Sequence, residues 1–319
     1  MKASAEAGQH NFLGKVERVL RRGGLDVFYA DEAQRHEPFS GRALVHMWEP
    51  MTADTLVMRR VYAYPFWAIE ASDKRWEWNV ARAVFDPETV NGHKAARFAN
   101  NWRKRMFGEA ASSRDGYVYV PLQGRISERR SFQAASPLEM IEAVLDADSE
   151  RPVVIGMHPK EPYSASDIDA IEKFEHRFER VTVVMGQMER YLPSCDYVVS
   201  QNSGAAFFGY FFGKPAALFG KIDFHHIAAN VHDLGVEEAL GRVAEMRPDF
   251  ERYLWWFWQE RSINAGRDEA DAQIASRFRT AGWIAYKTPL WGGAFFRNLA
   301  CCLDRVFDPA LELCFRACA

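Results

Sequence analysis

From residue 117 onward the chain repeats one pattern: a short apolar run, a polar turn, then a stretch with helical spacing. No other property of the sequence narrows the fold as much. Tyr117-Val118-Tyr119-Val120 reads as a strand followed by a polar loop over 121–131. Ser136-Pro137-Leu138-Glu139 has the marks of a helix start: an N-cap serine, proline at the first helical position and glutamate placed for a capping box. That helix is expected to run to about Leu145. Pro152 to Met157 is a buried strand ending at His158-Pro159, and Ser164 with Asp167 opens a second helix to about Phe178. Residues 181–184 and 197–199 are strands. A loop, 201–204, leads into a short helix over 205–212 closed by Gly213, and 216–219 is the next strand. Short apolar strands alternating with helices call for a parallel sheet covered on both faces, with right-handed crossovers. The expected class is α/β, a Rossmann-like parallel sheet covered by helices. In such sheets, ligands bind outside the carboxyl ends of the strands, where the strand order reverses.

Upstream, residues 12–20 have helical spacing and stop at Gly23-Gly24. Residues 25–30 read as a strand ending at Asp31, with further strands at 43–46 and 55–64 before an aromatic, charged stretch, 64–70. Residues 76–84 and 95–107 read as helices, and the small, polar 108–115 as a linker. Three regions follow. Residues 1–112 form a smaller amino-terminal α/β lobe, 113–245 carry the alternating pattern, and 246–319 form a helical C-terminus packed across the lobes. The aromatic-rich segments Trp255-Trp256-Phe257-Trp258 and 291–296 fit that packing. Residues 303–318 are amphipathic, with Arg305 and Arg316, and offer a weak membrane-surface contact.

Composition removes several classes. With 48% hydrophobic and 26% charged residues the chain is not disordered. It has 40 basic and 43 acidic residues, a net charge of −3, so no global positive field recruits nucleic acid. The five cysteines are odd in number and four of them lie near the end, which is no disulfide framework and suits a reducing compartment. No basic-then-apolar leader opens the sequence and no apolar run approaches the ~18 residues of a spanning helix. The expectation is a cytoplasmic protein.

Four polar clusters sit at strand carboxyl ends. His158-Pro159-Lys160 places an imidazole and an ammonium where a phosphate or leaving oxygen would lie; equally, a histidine there can simply finish a strand. Ser200-Gln201-Asn202-Ser203-Gly204 offers hydroxyls and backbone N–H groups to an anion, and Gly204 allows close approach. It is neither a Walker A loop, a dinucleotide fingerprint nor a nucleophile elbow, and an N-capping serine explains it nearly as well. Asp223-Phe224-His225-His226 invites a metal-dependent hydrolase reading, but two ligands from one segment do not make a site, so contact with a base or ribose, or packing under the sheet edge, is preferred. The loop after residue 120, with Gln123, Arg125, Arg129 and Arg130, suits a phosphate or an acidic sugar, or is a solvated charged loop. Candidate general bases in the amino-terminal part are Asp31, Glu32, His36, His46, Glu49 and Glu70.

On His158-Pro159, on the serine loop 200–203 and on Val120-Pro121-Leu122-Gln123, the region 117–226 resembles bacterial capsule-type glycosyltransferases that use a CMP-activated acidic sugar, a pattern shared by bacterial sialyltransferases. The resemblance implies a two-lobed GT-B fold whose nucleotide lobe is 113–245. It implies a metal-independent transfer of a sugar from a nucleotide donor to a surface or capsular polysaccharide, with no cofactor. It assigns His158 and Ser203, with Asn202 beside them, to the donor phosphate. The Asp/Glu-Asp/Glu-Gly signature of the sialyltransferase base is missing, so the base is unassigned. The alternative is a non-catalytic nucleotide- or phosphate-binding module of a polysaccharide biosynthesis or export system.

Overall fold

The structure is a computed structural model that describes residues 2–31, 34, 41–285 and the strand Glu312–Arg316. It divides into two compact units: Met1–Lys74 with Ser262–Ala319, and Arg75–Arg261.

The first unit opens with the short helix Lys2–Glu6 and continues with the helix Asn11–Arg22, whose Phe12, Leu13, Val16, Val19 and Leu20 fall on one buried stripe. The His10 Nδ1 caps it by accepting from the Leu13 N–H. Strands β1 (Asp26–Ala30), β2 (Arg42–His46), β3 (Thr55–Arg60) and β4 (Phe66–Glu70) follow. The expected strand over 55–64 ends at Arg60 because the chain reverses. Val61 N–H donates to Phe66 O, Phe66 N–H donates to Ala63 O, and Tyr62 takes a left-handed φ of 65°. The aromatic stretch beyond it is β4, antiparallel to β3.

The chain then builds the second unit. Its strands are β5 (Val118–Pro121), β6 (Val153–Met157), β7 (Val181–Met185), β8 (Tyr197–Ser200), β9 (Ala216–Leu218) and β10 (Ala229–Asn230). They form one all-parallel sheet in the order β10-β9-β8-β5-β6-β7. Relabelled from β5 this is 3-2-1-4-5-6, the doubly wound order, with its switch point between β5 and β8. The class expected from the alternation is the one observed. Both capping boxes form: Ser136 with Glu139 starts Pro137–Ala147, and Ser164 with Asp167 starts Ala165–Arg177. These helices, with Val236–Val243, bury Met140, Ile141, Val144, Ile171, Phe174, Leu240 and Val243 against Val118, Val120, Val153 and Ile155. Alternate strand residues face the other way. On that side the helix Gly204–Gly209 lies against Val198, with a Cβ built at Gly209 falling 3.5 Å from it.

Within this unit the helix expected over 76–84 is broken into the 3-10 turn Arg75–Glu77 and the short helix Asn79–Arg82, because Trp78 turns to an extended ψ of 156° and buries its indole. The stretch read as a linker lies inside the unit. Ser112 Oγ donates to Phe212 O, Asp115 N–H to Ser194 O, and the buried Lys214 ammonium to Ser113 O. Trp256, Phe257 and Trp258 follow the helix Phe250–Trp255 in a π-helical turn and join Phe207, with ring centroids 5.0 Å (Phe257) and 5.3 Å (Trp258) away. They are core of the second unit.

The chain returns to the first unit with β11 (Ile263–Asn264), the helix Ala270–Thr280 and β12 (Glu312–Arg316). The first sheet runs β1-β12-β2-β3-β4-β11. The aromatic segment 291–296, and the amphipathic 303–318 apart from β12, lie outside the described residues.

Candidate functional site

Three neighbouring strands, β6, β5 and β8, end on one rim of the second sheet. His158 leaves β6, the loop 122–136 leaves β5, and the turn 201–204 leaves β8, so all three clusters flank the switch point.

His158 is exposed and held in a tight turn. Its N–H donates to the Tyr163 hydroxyl at 2.9 Å, and its Nδ1 accepts from Lys160 N–H at 3.2 Å. An Nδ1 that accepts puts the neutral ring's proton on Nε2. That Nε2 has no partner among the described residues, so it is available as a donor. Burial pushes the Tyr163 phenol up, which keeps its hydroxyl protonated beside the histidine. Lys160 is exposed beside it. Gly124 packs against Glu161, a Cβ built there falling 2.5 Å from Glu161 Oε2, so the loops after β5 and β6 touch.

The turn after β8 is bound to the loop after β5. Ser200 Oγ donates to Pro121 O at 3.4 Å and accepts from Ser203 N–H at 3.2 Å. Gln201 Nε2 donates to Ala135 O at 2.9 Å. Ser203 is buried, and its Oγ accepts from Ala205 N–H at 3.2 Å, while Asn202 and Gly204 are half-buried. Gly220 N–H donates to Gln201 O, and a Cβ built at Gly220 would sit 2.9 Å from that oxygen, so only glycine allows the approach. Gln123 is half-buried. Arg125 is exposed, in a left-handed conformation at φ 60°, and meets Glu128 at 3.8 Å in a solvated pair worth little.

Sequence reasoning missed Gln133, Gly220 and Tyr163. Gln133 Oε1 accepts from Arg130 N–H at 2.7 Å, and Gln133 forms a β-bridge with Gly220. Among the described residues six buried side-chain N or O atoms lack a hydrogen-bond partner; three are Arg130 Nε, Gln133 Nε2 and Gln201 Oε1, all in loops leaving β5 and β8. Burial also lowers the affinity of Arg130 for its proton. An unmet buried donor or acceptor costs about 1–3 kcal/mol, so this rim suits a polar ligand. A buried glutamine in a polar loop leaves no signal in sequence, although Phe219-Gly220 after a strand does mark a close approach.

Asp223, His225 and His226 are engaged elsewhere. Asp223 is fully buried, and Arg75 Nη2 donates to its Oδ1 at 2.9 Å and Oδ2 at 3.0 Å. The two imidazoles stack at 4.4 Å. His225 Nε2–H donates to Ala81 O and His226 Nε2–H to Val80 O, both at 3.0 Å, because a carbonyl can only accept. The Tyr253 hydroxyl then donates to His226 Nδ1 at 2.9 Å. Burial, then His225, lowers His226 to about 4. Among the described residues no group of three or more His, Cys, Asp or Glu gathers at metal-holding distance.

In the first unit, Asp31 follows β1 and His46 ends β2, on the carboxyl rim of that sheet's parallel strands. Asp31 takes the Lys2 ammonium at 2.7 Å. Glu70 pairs in register with Val57, near the amino end of β3, and so lies toward the opposite rim; it is buried. Glu49 is exposed. Glu32 and His36 lie outside the described residues. Cys195 is buried, with its thiol pushed up to about 12 by desolvation. No helix among the described residues is long and apolar enough to cross a membrane.

No protein-family model matches the chain, and no curated protein matches it. Among solved structures, the chain is similar to the β-Kdo 2,7 transferase KpsC of Thermosulfurimonas dismutans, at 12% identity and a TM-score of 0.43 over 82% of this chain and 88% of that one. It is also similar to the wall teichoic acid polymerase TagF, at 11% identity and a TM-score of 0.27 over 61% of this chain. It spans 50% of the length of that polymerase.

Proposed function

We propose that the chain is a metal-independent glycosyltransferase that moves a sugar, of the acidic CMP-activated class, from a nucleotide donor to a surface or capsular polysaccharide. The observation that carries the reading is the shared rim: His158, Gln123, Arg125, Lys160 and residues 200–204 all leave the carboxyl ends of β6, β5 and β8 beside the switch point. The unpartnered Arg130 Nε, Gln133 Nε2 and Gln201 Oε1 support a polar ligand on the same loops. The acceptor hydroxyl attacks the anomeric carbon, the bond from that carbon to the phosphate oxygen breaks, and the nucleotide leaves with the electron pair. His158 Nε2–H, the Lys160 ammonium and the Ser203 hydroxyl are the groups we assign to the departing phosphate. The acceptor's proton goes to a base that we do not assign.

The test is release of CMP from a CMP-activated acidic sugar in the presence of a capsular acceptor. His158→Ala is expected to lower kcat/KM at least ~100-fold with an unchanged melting temperature, the scale of losing one oxyanion donor. Undiminished turnover by that variant would refute the assignment. Donor binding without any release would favour the non-catalytic module.

A further inference from the structure

The helix Gly92–Phe107 has no acidic residue and five basic ones, in a chain whose net charge is −3. Asn91 caps it by accepting from Lys94 N–H, and Ala95, Phe98 and Ala99 bury its inner face within the second unit. The exposed positions His93, Lys94, Arg97, Asn101, Lys104 and Arg105 fall at spacings of three or four and share the outer face. The helix is about 24 Å long. Lys104 meets Glu109 at 3.4 Å in an exposed pair beyond the helix end, while Lys94 and Arg97 have no ion-pair partner among the described residues. At the end of the row the half-buried Trp102 carries the Arg105 guanidinium 4.9 Å from its ring centre.

From this row we infer that the outer face of Gly92–Phe107 docks the protein onto a lipid surface bearing anionic headgroups. Charge complementarity requires an anionic partner. Shape selects a surface over a chain: the basic groups stand on a convex helix face. The adjoining groove, of about 400 Å³, is lined by Asn100 and Arg103 on this helix and by Asp249, which Arg252 already meets at 3.2 Å, so it offers a polyanion no added row of free basic groups. Basic side chains on the outer face of an amphipathic helix suit the headgroup layer. The inference goes beyond the proposed transfer reaction and stands without it.

Co-sedimentation of the full chain with phosphatidylcholine vesicles, with and without phosphatidylglycerol, tests it. Binding is expected to the phosphatidylglycerol vesicles alone, with release in salt of roughly 1 M, where screening shortens to about 3 Å. Each basic residue contributes roughly a fivefold gain in partition, so R97E/K104E/R105E, which removes three such charges and adds three repelled ones, is expected to lose more than about 100-fold at unchanged melting temperature. R97K/R105K should keep the binding, which separates charge from side-chain packing. Equal binding by the charge-reversed variant, or no vesicle binding by the unaltered chain, would overturn the inference. Capture by an immobilised anionic polysaccharide but not by vesicles would overturn it in favour of a glycan.

Discussion

At the scale of single residues, neighbours in sequence have separate duties. His225 and His226 invite a metal, yet each uses Nε2–H on a backbone carbonyl, and burial holds His226 in its neutral form. Its pKa in the fold, about 4, lies below the ordinary 6.5, so between those values the unfolded chain binds the extra proton. Stability is therefore complete above about pH 6.5 and falls as pH drops toward 4, by on the order of 2–3 kcal/mol from this residue. Urea unfolding at several pH values should show that slope, and His226→Gln should flatten it. A slope unchanged in the variant would place its origin elsewhere. Asp223 makes the same point. Arg75→Met removes the guanidinium that meets this buried carboxylate at 2.9 Å and is expected to cost about 3–5 kcal/mol in thermal or chemical denaturation. A loss below about 1 kcal/mol would mean that the pair is solvated. The pairing spans 148 positions, and nothing local in Asp223-Phe224-His225-His226 announces it.

At the scale of elements, what was readable is what local chemistry determines. Ser136-Pro137-Leu138-Glu139 carries its own start signal, and Ser136 N–H donates to Glu139 Oε2 at 2.7 Å while Ser136 Oγ accepts from Glu139 N–H at 3.3 Å. Ser136→Ala should cost about 1 kcal/mol by denaturant titration. A cost near zero would show the cap to be redundant with Pro137. Less readable were elements decided by distant partners. Residues 66–70 are wholly buried between β3 and β11, so they lack the alternation that identifies a strand. Residues 108–115 have a linker's composition, but their backbone is spent on Pro193, Ser194 and Lys214, contacts that no window of sequence contains. At the rim, Gly220→Ala should push the Gln201 carbonyl aside, destabilising the fold and weakening nucleotide binding together. An alanine variant of native stability and affinity would show that the loop can yield.

For the whole molecule, the decisive arrangement is the order of six parallel strands. The alternation of strands and helices predicted the parallel sheet and its edge. It could not predict that β8 returns to pair with β5, and that pairing sets the serine turn and the histidine turn on either side of one strand. Gln133 and Gln201 enter the rim through tertiary folding alone, one 2% and the other 5% exposed. The most direct test of the rim as the donor site is a melting-temperature titration of the second unit's ligand response in the full chain, with CMP, UDP, GDP and ADP against the unaltered protein, His158→Ala and Ser203→Ala. The account predicts a rise that grows with CMP concentration, by mass action, and is lost or strongly reduced in both variants. A melting temperature unmoved by all four nucleotides, or a rise of equal size in His158→Ala, would contradict it.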